Sequence, residues 1–138
     1  MALPIAHPLD EAVVDGSSVD CSTGKAGVIR APFKGTIKEI GVMIGSVLST
    51  ADATVTTSIA GTAITGGAIV VTQSGSAIGD LAAASVSGVV ANGVTAKSTI
   101  TGANTCLEGD LIKFAFTGSG TAGGPTYCYA VFRRGTAR

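Results

Sequence analysis

The 138-residue chain has little with which to do chemistry: one histidine, His7, no tryptophan, and nine acidic residues spread along the chain. A catalytic constellation needs a nucleophile, a base and an orienting group within hydrogen-bond reach of one another. His7 lies in a proline-rich stretch with no acidic partner in a recognisable pattern, so it is read as structural or solvated. Ser74-Gly75-Ser76 and Gly118-Ser119-Gly120 lack the strand-to-helix context of a nucleophile elbow, and no phosphate loop occurs. A protein that is not an enzyme is expected. Charged residues make up only 13% of the chain, nine basic against nine acidic, so no net field draws nucleic acid or an acidic membrane. Basic residues are sparse, and before residue 113 only Phe33 interleaves them, which argues against groove reading of DNA. No apolar run approaches the ~20 residues needed to span a bilayer. The N-terminus has neither the basic start nor the continuous apolar core of a secretory signal. A soluble protein made in the cytosol, with no membrane partner, is therefore expected.

Cysteine is scarce too. Cys21, Cys106 and Cys128 are odd in number and lack Cys-x-x-Cys spacing, which argues against a zinc site and a disulfide framework. All three are expected to be reduced, with a Cys106–Cys128 bridge as the alternative. Glu108 and Asp110 offer two carboxylates where calcium takes about six or more oxygen ligands, so they are read as a polar turn. No cofactor or metal is expected.

Short alternating segments separated by glycine-rich turns are what the chain has in quantity. Hydrophobic residues make up 46% of it, leaning on Ala and Val, with only four Phe and two Tyr. A chain of this length suits one thin-cored domain, and docking onto something larger is a natural source of added stability. Residues 1–24, with Pro4 and Pro8 and a polar stretch from Gly16 to Gly24, read as an extended N-terminal arm, and 25–138 as the folded domain. Strands are expected over Gly27–Ala31, Gly35–Ile44, Thr54–Ile59, Ala68–Thr72, Val94–Ile100, Leu111–Phe116 and Tyr127–Phe132. Ile40, Val42 and Ile44 share one face while Ile37 falls on the other, which calls for a bulge near Lys38 or burial on both sides. Gly66-Gly67 is expected to join a hairpin, and residues 74–93 are expected to form a long loop, with a short helix from Asp80 as the alternative. Seven or eight short strands of this kind predict an all-β antiparallel sandwich, and the eight-strand jelly roll fits the count.

Two surface features remain. Arg133 and Arg134 cluster near the end of the sequence, either as a solvated tail or as a patch that meets acidic groups on a protein partner. Tyr127 and Tyr129 share one face of the final strand, a platform for packing, self-association or, less simply, a sugar ring.

Three stretches carry a resemblance. They are Ala31-Pro32-Phe33-Lys34-Gly35-Thr36-Ile37-Lys38-Glu39-Ile40-Gly41-Val42, then Thr54-Val55-Thr56-Thr57-Ser58-Ile59 running into Ala60-Gly61-Thr62-Ala63-Ile64-Thr65-Gly66-Gly67, then Glu108-Gly109-Asp110-Leu111-Ile112. Together, within a segment covering about three-quarters of the chain, they resemble the small capsid decoration, or cement, proteins of tailed bacteriophages. The resemblance implies a jelly-roll virion protein on the outer surface of an icosahedral capsid, binding the major capsid protein and bridging neighbouring subunits of the DNA-filled head. It also implies self-association as a dimer or trimer at a symmetry axis. Capsid-contact candidates are Leu3, Pro4, Ile5, His7 and Pro8 in the arm, with Arg133 and Arg134 at the other end; Tyr127 and Tyr129 are the self-association candidates. The rival expectation is a head-fibre or receptor- or glycan-binding sandwich that uses loops 74–93 and 117–126.

Overall fold

A computed structural model describes residues 10–18, 20–49, 51–90, 95–117 and 125–135. Among these the chain is all β: β1 (Glu11–Ser18), β2 (Ala26–Arg30), β3 (Gly35–Ile44), β4 (Ala53–Ile59), β5 (Thr62–Ala63), β6 (Ile69–Val71), β7 (Leu81–Ser85), β8 (Ser98–Thr99), β9 (Thr105–Cys106), β10 (Leu111–Thr117) and β11 (Thr126–Arg134). Eight of these are three residues or longer; β5, β8 and β9 are two-residue pairings. The strands form two sheets packed face to face, a β-sandwich. The larger sheet runs β1-β11-β3-β7-β8, with β9 also on β3; the smaller runs β2-β10-β4-β5, with β6 also on β4. The eight longer strands divide four and four, β1, β3, β7 and β11 in one sheet and β2, β4, β6 and β10 in the other, and the chain changes sheet at every step but the one from β4 to β6. All ladders are antiparallel except the short β7–β8 pair.

Period-two alternation explains the core. Phe114, Phe116 and Ile112 on β10, Cys128, Ala130 and Phe132 on β11, and Ile40, Val42 and Ile44 on β3 all point between the sheets and are buried. Each large apolar side chain so buried contributes about 1.5–3 kcal/mol. Thr57, buried among them, donates its hydroxyl to the Gly67 carbonyl at 2.8 Å and so leaves no polar group unpaired there. The bulge expected near Lys38 is present. Val131 faces Glu39 while Phe132 faces Ile37, so Lys38 is the extra residue. That one-residue shift puts Ile37 inside with Ile40 and leaves both Lys38 and Glu39 on the outer side, half-exposed.

Several expectations are corrected. Residues 11–18, placed in the extended arm, form β1, paired in unbroken register with β11 from Glu11–Arg133 to Ser18–Thr126. Ala12 and Val14 pack against the core, so the sandwich begins no later than Glu11 rather than at residue 25. Within 74–93, residues 81–85 are neither loop nor helix but the strand β7 beside β3, because the small Ala82 and Ala84 fit against the core. Of 94–100 only Ser98–Thr99 is a strand among the described residues. The hairpin turn lies at Ala60-Gly61, with φ of 49° and 90°, not at Gly66-Gly67; β5 and β6 both pair with β4.

Candidate functional site

The outer face of the larger sheet is apolar where a solvated face would be polar. Alternation turns Tyr127, Tyr129, Val131 and Arg133 of β11 outward, and registration sets their neighbours. One row across the sheet is Ser17, Tyr127, Met43, Leu81; the next is Asp15, Tyr129, Gly41, Ala83; the third is Val13, Val131, Glu39, Ser85. Val13 is 63% exposed, Tyr127 53% and Met43 40%, so the apolar atoms are open to solvent. On the smaller sheet, exposed apolar residues are separated by polar partners: Val28 faces Lys113, Leu111 faces Arg30, and Val70 faces Thr54.

Tyr129 lies in the middle of this face. A Cβ on Gly41 would meet the Tyr129 ring at 2.5 Å, so the ring lies over the glycine of the facing strand. In that position its hydroxyl donates to a Glu39 carboxylate oxygen. Burial raises the Tyr129 phenol above its usual pKa, and the hydrogen bond to Glu39 and that group's charge add to the shift. The phenol is therefore a fixed neutral donor. Beside it, a groove of about 330 Å3 is lined in part by Glu39, Ser85, Val86, Val89, Val90 and Val131. Its far wall is pinned by hydrogen bonds from the Val86 amide to the Lys38 carbonyl, 2.9 Å, and from the Ser85 hydroxyl to the Val89 carbonyl, also 2.9 Å.

At the corner where β1 begins and β11 ends, one Glu11 carboxylate oxygen lies 2.8 Å from Lys38 Nζ and 3.9 Å from Arg133 Nε. Arg134 carries its guanidinium 4.3 Å from the centroid of the Phe33 ring. The two arginines read from sequence as one patch are thus engaged in different directions, one toward Glu11 and one over an aromatic face. Asp10 and Gly135, the described residues next to 1–9 and 136–138, flank this same corner, because Glu11 and Arg133 are cross-strand partners. The arm candidates Leu3, Pro4, Ile5, His7 and Pro8 lie outside the described residues, as does much of the 117–126 loop.

The self-association candidates Tyr127 and Tyr129 are neighbours on one face, but only Tyr127 is free to meet a partner with its whole ring. Sequence reasoning passed over Val13, Asp15, Glu39, Met43, Leu81 and Val131. Their signal was present: Tyr127-Cys128-Tyr129-Ala130-Val131-Phe132 is apolar on both parities, as is Ile40-Gly41-Val42-Met43-Ile44. Such strands are covered on both sides or dock on something.

Other candidate chemistry is taken up by the fold. Cys21, Cys106 and Cys128 are free and buried. Burial pushes the Cys128 thiol up to about 12, and Cys21 sits 2.8 Å from the Thr126 hydroxyl. These thiols are poor nucleophiles. Asp110 accepts the Leu107 amide at 2.8 Å and closes its own turn. Among the described residues no three His, Cys, Asp or Glu side chains are grouped to hold a metal ion. Compared with known proteins, the chain matches no family model, no curated protein and no solved structure.

Proposed function

We propose that this chain is a structural virion protein, not an enzyme, that binds the outer surface of an icosahedral phage capsid and cements neighbouring major capsid subunits. The observation that carries the reading is the set of adjoining apolar side chains on the outer face of the larger sheet, Val13, Tyr127 and Met43 exposed and Val131 and Leu81 half-buried, beside the corner that joins residues 1–9. Monomeric proteins rarely leave adjoining apolar side chains on three neighbouring strands without a partner. Four longer strands in the order β1-β11-β3-β7 facing four in the order β2-β10-β4-β6 support reading the sandwich as a jelly roll. The resemblance of the 31–42, 54–67 and 108–112 stretches to decoration proteins points the same way. On this reading the face lies on the shell, residues 1–9 reach a neighbouring subunit, and many modest contacts repeated by symmetry resist the pressure of packaged DNA. On this reading Tyr127 is given to the shell, and self-association at a symmetry axis, also part of the proposal, uses another surface.

Co-sedimentation of the purified protein with mature shells stripped of decoration, followed by heating of bare and bound shells, tests it. Binding at a fixed ratio to the shell subunit with a raised temperature of DNA release is the expected result. Protein left in the supernatant refutes it.

One observation favours a second reading, a head-fibre or glycan-binding module. A cleft of about 250 Å3 between β6 and β7 is lined in part by Thr72, Ser74, Ser76, Asp80 and Lys97, a set of hydroxyl and charged groups suited to a sugar. No aromatic ring lines it, so the stacking surface that sugar sites rely on is missing there. A glycan array on the intact protein separates the two readings.

A further inference from the structure

We infer that the surface meeting this face is a protein surface that presents an arginine within an apolar patch, placed to pair with Glu39 beside the Tyr129 ring. The inference rests on the docking reading above and names the chemistry of its partner. Glu39 stands in the third row of the face with Val131 on one side and Ser85 on the other. Covering that row removes water from its carboxylate. The Tyr129 hydroxyl satisfies part of the carboxylate but leaves its charge in place. A carboxylate buried without a counter-charge is costly enough to cancel the gain from the apolar rows around it.

Among the described residues no cation of the chain pairs with Glu39. Lys38 Nζ and Arg133 Nε both turn to Glu11. Across the tyrosine, Asp15 adds a second exposed acid and makes no ion pair among the described residues. Glu11, Asp15 and Glu39 against Lys38 and Arg133 leave the face one negative charge in excess. On this inference the partner supplies the missing cation. Arginine fits better than lysine, because its planar guanidinium pairs with a carboxylate side-on and stacks on an aromatic ring, and Glu39 and Tyr129 offer the two together.

The other occupants fit worse. Residues 1–9 contain no lysine or arginine, and His7 is their one titratable side chain. A second copy related by a two-fold axis near Tyr129 sets Glu39 and Asp15 against the same acids, a like-charge arrangement that disfavours self-pairing at this point.

The test compares shell binding by the intact protein with that by Glu39→Gln and by Glu108→Gln, a control in the 107–110 turn. Glutamine keeps an acceptor for the Tyr129 hydroxyl and removes only the charge. Binding about tenfold weaker for Glu39→Gln, with a shallower dependence on sodium chloride and an unchanged control, is expected. Equal binding by wild type and Glu39→Gln overturns the inference while leaving the capsid role standing. A wild-type protein that dimerises through this face, with dimerisation lost in Tyr127→Ala, also overturns it, since the occupant is then a second copy. If wild type ignores the shell, the capsid role falls, and amide spectra of the intact protein decide the inference alone. Acetyl-Leu-Arg-Leu-amide should shift Gly41, Ala83 and Val131, and the same peptide with neutral citrulline in place of arginine should not. Identical responses to the two peptides overturn it.

Discussion

The two sheets share one core but turn different outer faces to water. On the smaller sheet the outer rows read Val28-Lys113-Ser58 and Ala26-Ala115-Thr56, with each apolar group next to a small, hydroxyl or charged one. On the larger sheet, Tyr127-Met43-Leu81 runs across three strands without a polar interruption, and Val13 adjoins Val131. Overall hydrophobicity does not distinguish the faces; contiguity does. Scattered exposed apolar residues are the ordinary state of a protein surface, whereas an adjoining set offers a partner dry area and a well-packed centre.

The contrast breaks most visibly under paired substitutions. Tyr127→Ala is expected to weaken shell binding by about 2 kcal/mol or more, roughly thirtyfold, as truncation of a central aromatic anchor does. Adding Met43→Ala in the same row should weaken it further, by less than the sum of the single effects because the two side chains adjoin. Val28→Ala and Leu111→Ala on the other face should leave binding within about twofold and stability within ~0.5 kcal/mol. Equal losses from both faces would remove the distinction on which the proposed function stands. Sedimentation isotherms with thermal unfolding of each variant supply both numbers.

Gly41 comes next in size and shows what the sequence made legible. Its place in a strand reading Ile40-Gly41-Val42-Met43-Ile44 marks a close approach by something, but nothing local names Tyr129, 88 positions later by the numbering, as the ring that fills it. Gly41→Val should displace the ring from Glu39, destabilise the fold by about 1–3 kcal/mol, and weaken shell binding as well. Thr56→Val, in the corresponding central position of the smaller sheet's outer face, should be close to neutral. The core strands and the Lys38 bulge were readable because period-two alternation is local. β1 and β7 were not, because each depends on pairing: the polar-looking Glu11–Ser18 segment becomes a strand only beside β11, and Leu81–Ser85 only beside β3; of the apolar outer face, the two-sided apolar runs were visible but not which strands adjoin them. The two arginines looked like a patch because sequence adjacency hides that one faces Glu11 and the other Phe33.

Alkaline pH sharpens the comparison without a substitution at the surface. Cys128 and Tyr129 both belong to β11 in the larger sheet, and burial raises both above their usual values, the thiol from 9.0 to about 12. An acid whose folded-state pKa is raised holds its proton more tightly when folded. Its contribution to stability is therefore full below the unfolded pKa and is lost as pH rises toward the folded one. For Cys128 that window runs from about pH 9 to about 12. Unfolding temperature should be level through neutral pH and fall above about pH 9. Cys128→Ala should start lower, because it leaves a small cavity, but fall less steeply. A parallel decline in wild type and variant would place the alkaline sensitivity elsewhere.

The smallest effect separates stability from binding. Glu11→Gln removes the carboxylate shared by Lys38 and Arg133, but both partners are substantially exposed, with side-chain exposures of 37% for Lys38 and 63% for Arg133. Pairs of this kind contribute about 0–1 kcal/mol, so the unfolding temperature should barely move, as with Lys113→Gln on the smaller sheet. Binding should respond differently. Freed of Glu11, Lys38 lies one residue from Glu39 on the same outer side and can offer its ammonium to the carboxylate proposed to meet the partner. Competition of that kind should weaken shell binding about two- to threefold in Glu11→Gln and not at all in Lys113→Gln. The further change Lys38→Gln should restore it, because the competing cation is then gone. Failure of that rescue would mean that Glu11 itself meets the partner, and the rim of the face, rather than Glu39 within it, would then carry the charge that matters.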